Sequence, residues 1–321
     1  MSVPRALITL GLCLLAFSCS TCDQADPLTL QPVKTSKRIG SQAYEHIRAL
    51  CKIGPRPTAS FGWSQGLGYI TQQLLALGLS PKKDTWIDKV EQIEFTNIRV
   101  RIPGDSKELI VIGCHHDTKN CTGHTDPAHK FVFVGANDSG SGVGLLLELA
   151  RILKSRKNAA TYELVFFDGE ECVGWDWDES RALFGSKRYV RKHQQQLADD
   201  PNTPGIRAFV LLDMVGDKDL QIDNDTNSDK ELRQIFYAAA QAMGHERFFY
   251  KASLPVSDDH LPFIEAKIRS IDLIDLDDNE HWHKPSDTLE NISADSLQVV
   301  AEVVLTALPE LERRFIGKKK D

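Results

Sequence analysis

The chain has 321 residues, of which 41% are hydrophobic and 26% are charged, a composition typical of a globular protein. Its formal net charge is −7, and its only basic run is the tail Lys318-Lys319-Lys320, so nucleic acid is not an expected partner. About 280 residues remain beyond an N-terminal targeting segment, enough for one large α/β domain.

The first residues predict an export signal. Arg5 precedes the apolar run ALITLGLCLLAFS, which is too short to span a membrane comfortably and matches the core of a secretory signal. LLAFSC also resembles a bacterial lipoprotein signal, in which Cys19 becomes lipidated. We expect signal residues 1–19 and either a membrane-anchored periplasmic lipoprotein or a secreted product cleaved near Cys19. Residues 20–40 are polar and predict a flexible tether. One catalytic domain is predicted at 41–315.

Apolar runs alternate with amphipathic helical patterns over the rest of the chain. Strands are predicted at 97–102, 108–114, 162–168, 208–215 and 268–275. Several are almost continuously apolar, which suits strands buried on both faces of a sheet. Helices are predicted at 41–52, 64–78, 140–155, 182–196, 229–243 and 292–313. Alternation of this kind predicts an α/β sandwich with a mostly parallel central sheet.

The seven cysteines do not predict a thiolate metal site, because no pair has zinc-knuckle spacing. In an exported protein, Cys114 and Cys121 either form a disulfide across a short loop or remain buried free thiols.

Side chains that can ligate a metal stand where apolar runs end. The runs are ELIVIGC, FVFVGAN (131–137, predicted as a strand), YELVFFDG, VLLD and IDLIDLDDNE. The side chains that end or follow them are His115, Asp138, Glu170, Glu171, Asp213 and His283. Open α/β sheets bind ligands at the carboxyl ends of strands, so these side chains are expected to converge on one crevice. Without basic partners, such a group would be strongly destabilising unless it held a cation. Oxygen and nitrogen ligands without a thiolate are compatible with zinc.

The adjacent carboxylates Glu170 and Glu171 predict two separate tasks. One can ligate the metal while its neighbour stays free to carry a proton, and a metal-bound carboxylate cannot do both.

The ordered motifs HHD, ANDSGSG, FFDGEE, LLDMVGD and HWHKPSDTLENI resemble metallopeptidase family 28, the zinc aminopeptidases, over roughly residues 40–310. GPRPTAS at 54–60 resembles the usual opening of that family. The resemblance implies a three-layer α/β/α fold with a mixed central sheet. It also implies Glu170 as the general base and metal ligands at His115, Asp138, Glu171, Asp213 and His283. Asp117, two residues after His115, is expected to face the same way on an extended chain and to orient the imidazole.

One branch of the family, the animal-type glutaminyl cyclases, converts N-terminal glutamine to pyroglutamate and releases ammonia. The motifs FVGANDS, LFGS (183–186) and DDHLPF (258–263) resemble this branch, as do Trp177 and the Trp282 that precedes His283. SGSGVG after Asp138 is instead closer to the aminopeptidases.

The two resemblances imply different chemistry on the N-termini of peptides or proteins. The cyclase resemblance implies one zinc bound by Asp138, Glu171 and His283, and a substrate pocket walled by Trp177 and Trp282. Its catalytic residues would be Glu170, Asp213 and Asp258, with the two aspartates sharing a proton. The aminopeptidase resemblance implies two zinc ions, with His115 and Asp213 completing a second site around a bridging water. A catalytically silent binding protein is disfavoured, because it has no need of a free Glu170.

Overall fold

The computed structural model of the protein describes residues 28–121 and 124–316. The predicted signal, Cys19 and the first part of the predicted tether lie outside the described residues. Within the described part, no helix has both the length and the apolar character needed to cross a membrane.

A six-stranded mixed sheet forms the middle layer, with strand order β1-β2-β4-β3-β5-β8. Strands β4, β3, β5 and β8 run parallel, whereas β1 pairs antiparallel with β2, and β2 with β4. A smaller parallel pair, β6 and β7, forms a separate sheet beside β8. The bounds are β1 Lys82–Ile87, β2 Glu94–Ile102, β3 Leu109–His115, β4 Thr161–Phe167, β5 Ile206–Asp213, β6 Ile222–Asp225, β7 Phe249–Leu254 and β8 Ser270–Ile274.

Helices cover both faces of the sheet. They are α1 Ile39–Ile53, α2 Phe61–Ala76, α3 Gly140–Ser155, α4 Phe184–Asp199, α5 Lys230–Met243, α6 Leu261–Glu265 and α7 Ala294–Phe315. Side chains alternate along a strand, so Ile110 and Ile112 pack with α1, α3 and α7, while Leu109 and Val111 pack with α4 and α6 on the other face. The predicted three-layer fold with a mixed, mostly parallel sheet is confirmed.

Side-chain caps fix the start of three helices. Ser60 accepts a hydrogen bond from the amide of Trp63 at the start of α2. Asp229 and Ser293 accept amides in the first turns of α5 and α7 in the same way. Each cap satisfies amides that have no partner inside the helix.

The five predicted strands that form apolar runs and the six predicted helices all occur, with bounds shifted by a few residues. One prediction is wrong: residues 131–137 form an irregular loop and not a strand. The short elements β1, β6, β7 and α6 are additional to the prediction. Strand β1 is an edge strand with alternating exposure, so it lacks the continuous apolar pattern of a central strand.

Candidate active site

A cavity of about 840 Å³ opens at the carboxyl ends of the central strands. Strand β3 ends at His115, β5 ends at Asp213, and the loop after β4 carries Glu170 and Glu171. The predicted residues that line this cavity are Asp138, Glu170, Glu171, Trp177, Asp213, Asp258, Trp282 and His283. Parallel strands end at the same edge of the sheet, which is why residues far apart in the chain meet here.

One group of possible metal ligands consists of Asp138, Glu171 and His283. The Nε2 atom of His283 lies 3.3 Å from Oδ2 of Asp138 and 3.3 Å from Oε1 of Glu171. Two ligands of a tetrahedral zinc, each bonded at about 2.0–2.1 Å, are about 3.3 Å apart. Oε1 of Glu171 is also buried without a hydrogen-bond partner. This donor set therefore fits zinc.

A second group consists of His115, Asp138 and Asp213. The Nε2 atom of His115 lies 3.2 Å from Oδ1 of Asp138 and 3.1 Å from Oδ1 of Asp213. Asp138 belongs to both groups and offers a different oxygen to each histidine. The structure thus brings the five ligand positions together as two triads that share one carboxylate.

The acidic surroundings shift the pKa values of these histidines upwards. Burial alone would lower the pKa of His283, but the carboxylates of Glu171 and Asp138 outweigh it and raise the pKa to about 10. Burial likewise opposes the charge on His115, yet Asp213, Asp117 and Asp138 hold its pKa well above the usual range. For Asp138, the penalty of burial is outweighed by the two histidines, which lower its pKa. The carboxylates of the site therefore favour positive charge beside them.

Glu170 lies beside the metal-ligand groups and belongs to neither. Burial is the main cause that raises the pKa of Glu170 well above its usual range, followed by the charge of Asp258. Its Oε2 lies 3.9 Å from Nδ1 of His115. A carboxyl group with a raised pKa beside the ligand groups is suited to act as a general acid or base.

Asp117 holds the backbone of the paired glutamates. Its two carboxylate oxygens accept the amides of Glu170 and Glu171, each at 3.3 Å. Its Oδ1 is also 3.6 Å from Nδ1 of His115. The carboxylate therefore holds the Glu170–Glu171 turn, a contact additional to the prediction, and lies beside the imidazole that the sequence predicts it to orient.

Asp213 and Asp258 both line the cavity. Burial, and then the charges of Asp213 and Asp259, raise the pKa of Asp258 well above its usual range. Burial is also the first cause that raises the pKa of Asp213. Oδ2 of Asp258 is buried without a hydrogen-bond partner, which suits a carboxyl group that carries a proton.

Three tryptophans, not two, stand at the cavity. Trp177 and Trp282 are 47% and 46% exposed, and the Trp282 ring centroid is 4.7 Å from that of His283. Trp175 was missed. It stacks on His129 with a centroid distance of 3.7 Å and lies 6.0 Å from His283. Trp175 is the first tryptophan of the pattern GWDW, in which only the second, Trp177, carried the family resemblance.

Two charged residues of the site were also missed. Lys119 is buried, with Nζ 3.4 Å from Oε2 of Glu171, so the expectation of a site without basic partners is wrong. Asp287 accepts the amides of Asn137 and Asp138 at 2.7 Å and 3.1 Å. Lys119 follows HHD by two residues, and Asp287 lies inside the quoted motif HWHKPSDTLENI.

The cysteines of the described residues are free thiols. Cys114 and Cys121 are both buried and unpaired, as are Cys172 and the partly buried Cys51. Of the two alternatives for Cys114 and Cys121, the structure therefore has the buried thiols.

Comparison with known proteins identifies similar sequences and structures. The model of "Peptidase family M28" matches residues 97–308. A glutaminyl-peptide cyclotransferase of Gloydius blomhoffii is 29% identical over 242 residues, which cover 65% of this chain. The chain spans only 64% of the length of that relative.

Two solved structures are similar over most of the chain. The glutaminyl cyclase of an Acidobacteriales bacterium is 32% identical with a TM-score of 0.77, covering 89% of this chain and 100% of the other. The glutaminyl cyclase of Porphyromonas gingivalis is 26% identical with a TM-score of 0.74, covering 84% and 98%. The resemblance drawn from the motifs is confirmed by these matches.

Proposed function

The chain belongs to peptidase family M28, and on that premise we propose that it is a zinc-dependent glutaminyl-peptide cyclotransferase. The α-amine of an N-terminal glutamine attacks the γ-carbonyl of the same residue, a new C–N bond closes the pyroglutamate ring, and ammonia leaves. The observation that carries the proposal is the position of Glu170. It is a carboxyl group free of both ligand triads, beside the Asp138–Glu171–His283 triad in a tryptophan-walled cavity.

Asp138, Glu171 and His283 would hold one zinc ion. A bound zinc supplies a Lewis acid that polarises the γ-carbonyl of the substrate. A single ion is proposed because the cyclase resemblance implies one, and because Nε2 of His115 forms a hydrogen bond with Oδ1 of Asp213 at 3.1 Å and lies 3.2 Å from Oδ1 of Asp138. That imidazole can satisfy the second pair of carboxylates without another cation.

Glu170 would move the proton of the reaction. It takes a proton from the attacking amine and returns one to the departing ammonia, so no water is consumed. Burial raises the pKa of this carboxyl group, which makes the ionised form a stronger base for the proton of the amine. Asp117 holds the Glu170 amide and so keeps the carboxyl group at the reacting atoms.

Asp213 and Asp258 would act together as a proton-sharing pair next to Glu170. Each carboxylate raises the cost of ionising its neighbour, so one proton held between them is favoured over two negative charges. This arrangement supports transfer of the proton as charge develops on the leaving nitrogen.

The tryptophans would select the first side chain of the substrate. A glutamine side chain must fold back towards its own amine, and flat aromatic walls restrict it and exclude water at little conformational cost. Trp175, Trp177 and Trp282 line the cavity, and Trp177 and Trp282 are half exposed to solvent, as suits the entrance for a peptide N-terminus.

A second candidate is a two-zinc aminopeptidase. It is favoured by one observation, the intact His115–Asp138–Asp213 triad, whose contacts are as short as those of the first triad. In that reaction Glu170 would take a proton from a water, which then attacks the first peptide bond.

One assay separates the two candidates. The purified protein, loaded with zinc, is incubated with a peptide that begins with glutamine and with a matched peptide that begins with leucine. A cyclase releases ammonia from the first peptide and leaves the second intact. Release of free leucine, without ammonia from the glutamine peptide, would establish the aminopeptidase.

We further propose that the protein is exported and tethered to a membrane through a lipidated Cys19. The support is sequence alone: Arg5, the apolar run and the cysteine at its end.

A further inference from the structure

Arg56, from the opening motif GPRPTAS, is a buried arginine whose guanidinium binds backbone instead of a carboxylate. The residue is 1% exposed. Its guanidinium donates to the carbonyl oxygens of Gly54 at 3.1 Å, Val134 at 3.0 Å and Gly135 at 3.0 Å. Among the described residues, no Asp or Glu forms an ion pair with it. A buried cation is costly, so these three contacts indicate a specific task.

Two of those carbonyl oxygens belong to the irregular loop 131–137, which leads directly to Asp138. Because this loop is not a strand, no sheet ladder fixes its backbone. The carboxylate of Asp287 binds the amide groups at the end of this loop, accepting hydrogen bonds from Asn137 and Asp138. One buried cation therefore binds the carbonyls of the loop, and one buried anion binds its amides.

The Arg56 backbone also joins this loop to the segment that holds the paired glutamates. Its amide donates to Oγ1 of Thr118 at 2.9 Å, and its carbonyl accepts the Thr118 amide at 3.2 Å. Thr118 follows Asp117, which binds the Glu170–Glu171 backbone. The packing is tight: a Cβ on Gly135, at φ +60°, would lie 2.6 Å from Cγ2 of Thr118.

We propose that Arg56 and Asp287 form a two-sided clamp on residues 134–138 that positions Asp138 and thereby sets the zinc affinity of the protein. Asp138 is the carboxylate shared by both ligand triads, so a shift of its backbone disturbs either metal arrangement. Lysine cannot replace Arg56 in this task, because a single ammonium does not present the planar set of donors that reaches three carbonyls. The inference deepens the proposed function in that it assumes Asp138 binds zinc.

The test compares zinc affinity in R56K, D287N and the matched control R156K. Arg156 binds Glu312 and the Tyr162 hydroxyl near the amino end of β4, away from the cavity. Each protein is stripped of metal by chelation and titrated with zinc alone against a chromophoric chelator, well below its unfolding temperature. R56K and D287N should bind zinc about 10–100-fold more weakly, the usual effect of losing a residue that supports a metal ligand. R156K should bind zinc as the unmutated protein does.

A second readout follows the loop itself by amide hydrogen exchange in the metal-free proteins. The amides of 136–138, which Asp287 accepts, should be protected in the unmutated protein and in R156K, and should exchange faster in R56K. Unchanged zinc affinity in both clamp variants would overturn the proposal. Should the variants fail to fold, free exchange of the Asn137 and Asp138 amides in the unmutated protein would overturn it equally. Neither readout requires turnover, so weakened zinc binding without any cyclisation by the unmutated enzyme would leave the clamp standing and reject the cyclase.

Discussion

Nε2 of His283 lies 3.3 Å from Oε1 of Glu171, an oxygen that is buried and accepts no hydrogen bond. The neighbouring Glu170 has no contact of this kind with His283 and lies in neither triad. Both carboxylates line the cavity, but only Glu171 belongs to a ligand triad, so the two neighbours have different partners.

This difference predicts opposite effects of removing each charge. Glu170→Gln should keep near-normal zinc content and lose about 10²–10⁴-fold in turnover, the usual contribution of general acid–base catalysis. Glu171→Gln should weaken zinc binding, because it removes a ligand. Metal content and the rate of ammonia release measure the two effects. Zinc loss in the first variant with retention in the second would reverse the roles of the pair.

The sequence predicted the centre of the sheet and the residues that form the two triads because both leave local signals. Strand β3 is buried at every residue and reads as a continuous apolar run, and the chemistry-bearing residues follow such runs directly. The supports of the site leave no such signal. Arg56 contacts Gly135, which lies 79 positions away in the sequence, and Asp287 contacts Asn137, which lies 150 positions away. Such a contact exists only once the chain is folded.

The wrong prediction of a strand at residues 131–137 also has a physical cause. FVFV is a continuous run of aromatic and β-branched residues, as in a buried strand, but its phenylalanines lie near the site: Phe131 is 6.4 Å from Trp175 and Phe133 is 5.9 Å from His283, centroid to centroid. Apolar residues that build an aromatic pocket and apolar residues that build a sheet look alike in sequence.

The indole of Trp282 should matter for the substrate and not for the metal. Trp282→Ala should lower kcat/KM for a glutamine-led peptide by about tenfold, since an aromatic wall contributes roughly 1 kcal/mol or more beyond its buried area. Zinc content should stay unchanged, because the indole is not a ligand. Trp86→Ala, which removes a tryptophan stacked on Phe95 outside the cavity, is the matched control and should keep full activity. Loss of zinc from Trp282→Ala would contradict this prediction.

Asp258 is expected to act mainly in the transition state. Asp258→Ala should lower kcat substantially while KM changes little, because the proton it shares with Asp213 is needed only as charge develops on the leaving group. Steady-state kinetics on a glutamine-led peptide give both constants. A rise in KM with unchanged kcat would instead make Asp258 a residue that binds substrate in the ground state.

Export is tested at Cys19. The full-length chain, expressed in a bacterium that processes lipoproteins, should fractionate with membranes, and Cys19→Ala should abolish this behaviour, because a lipid anchor needs the thiol. Immunoblots of membrane and soluble fractions provide the measurement. Full-length protein in the cytoplasm with Met1 intact would reject export.

The number of zinc ions depends on what His115 does. If its imidazole satisfies Asp138 and Asp213 by hydrogen bonding alone, the unmutated protein holds one zinc, and His115→Ala still holds one. His283→Ala should lose the metal, because it breaks the Asp138–Glu171–His283 triad. His116→Ala is the control: His116 is equally buried, and its Nε2 contacts the backbone carbonyl of Thr96 at 3.0 Å, outside both triads. Metal content per chain, measured by atomic emission after gel filtration, decides the matter. Two zinc ions in the unmutated protein and one in His115→Ala, together with release of free N-terminal leucine, would establish the aminopeptidase in place of the cyclase.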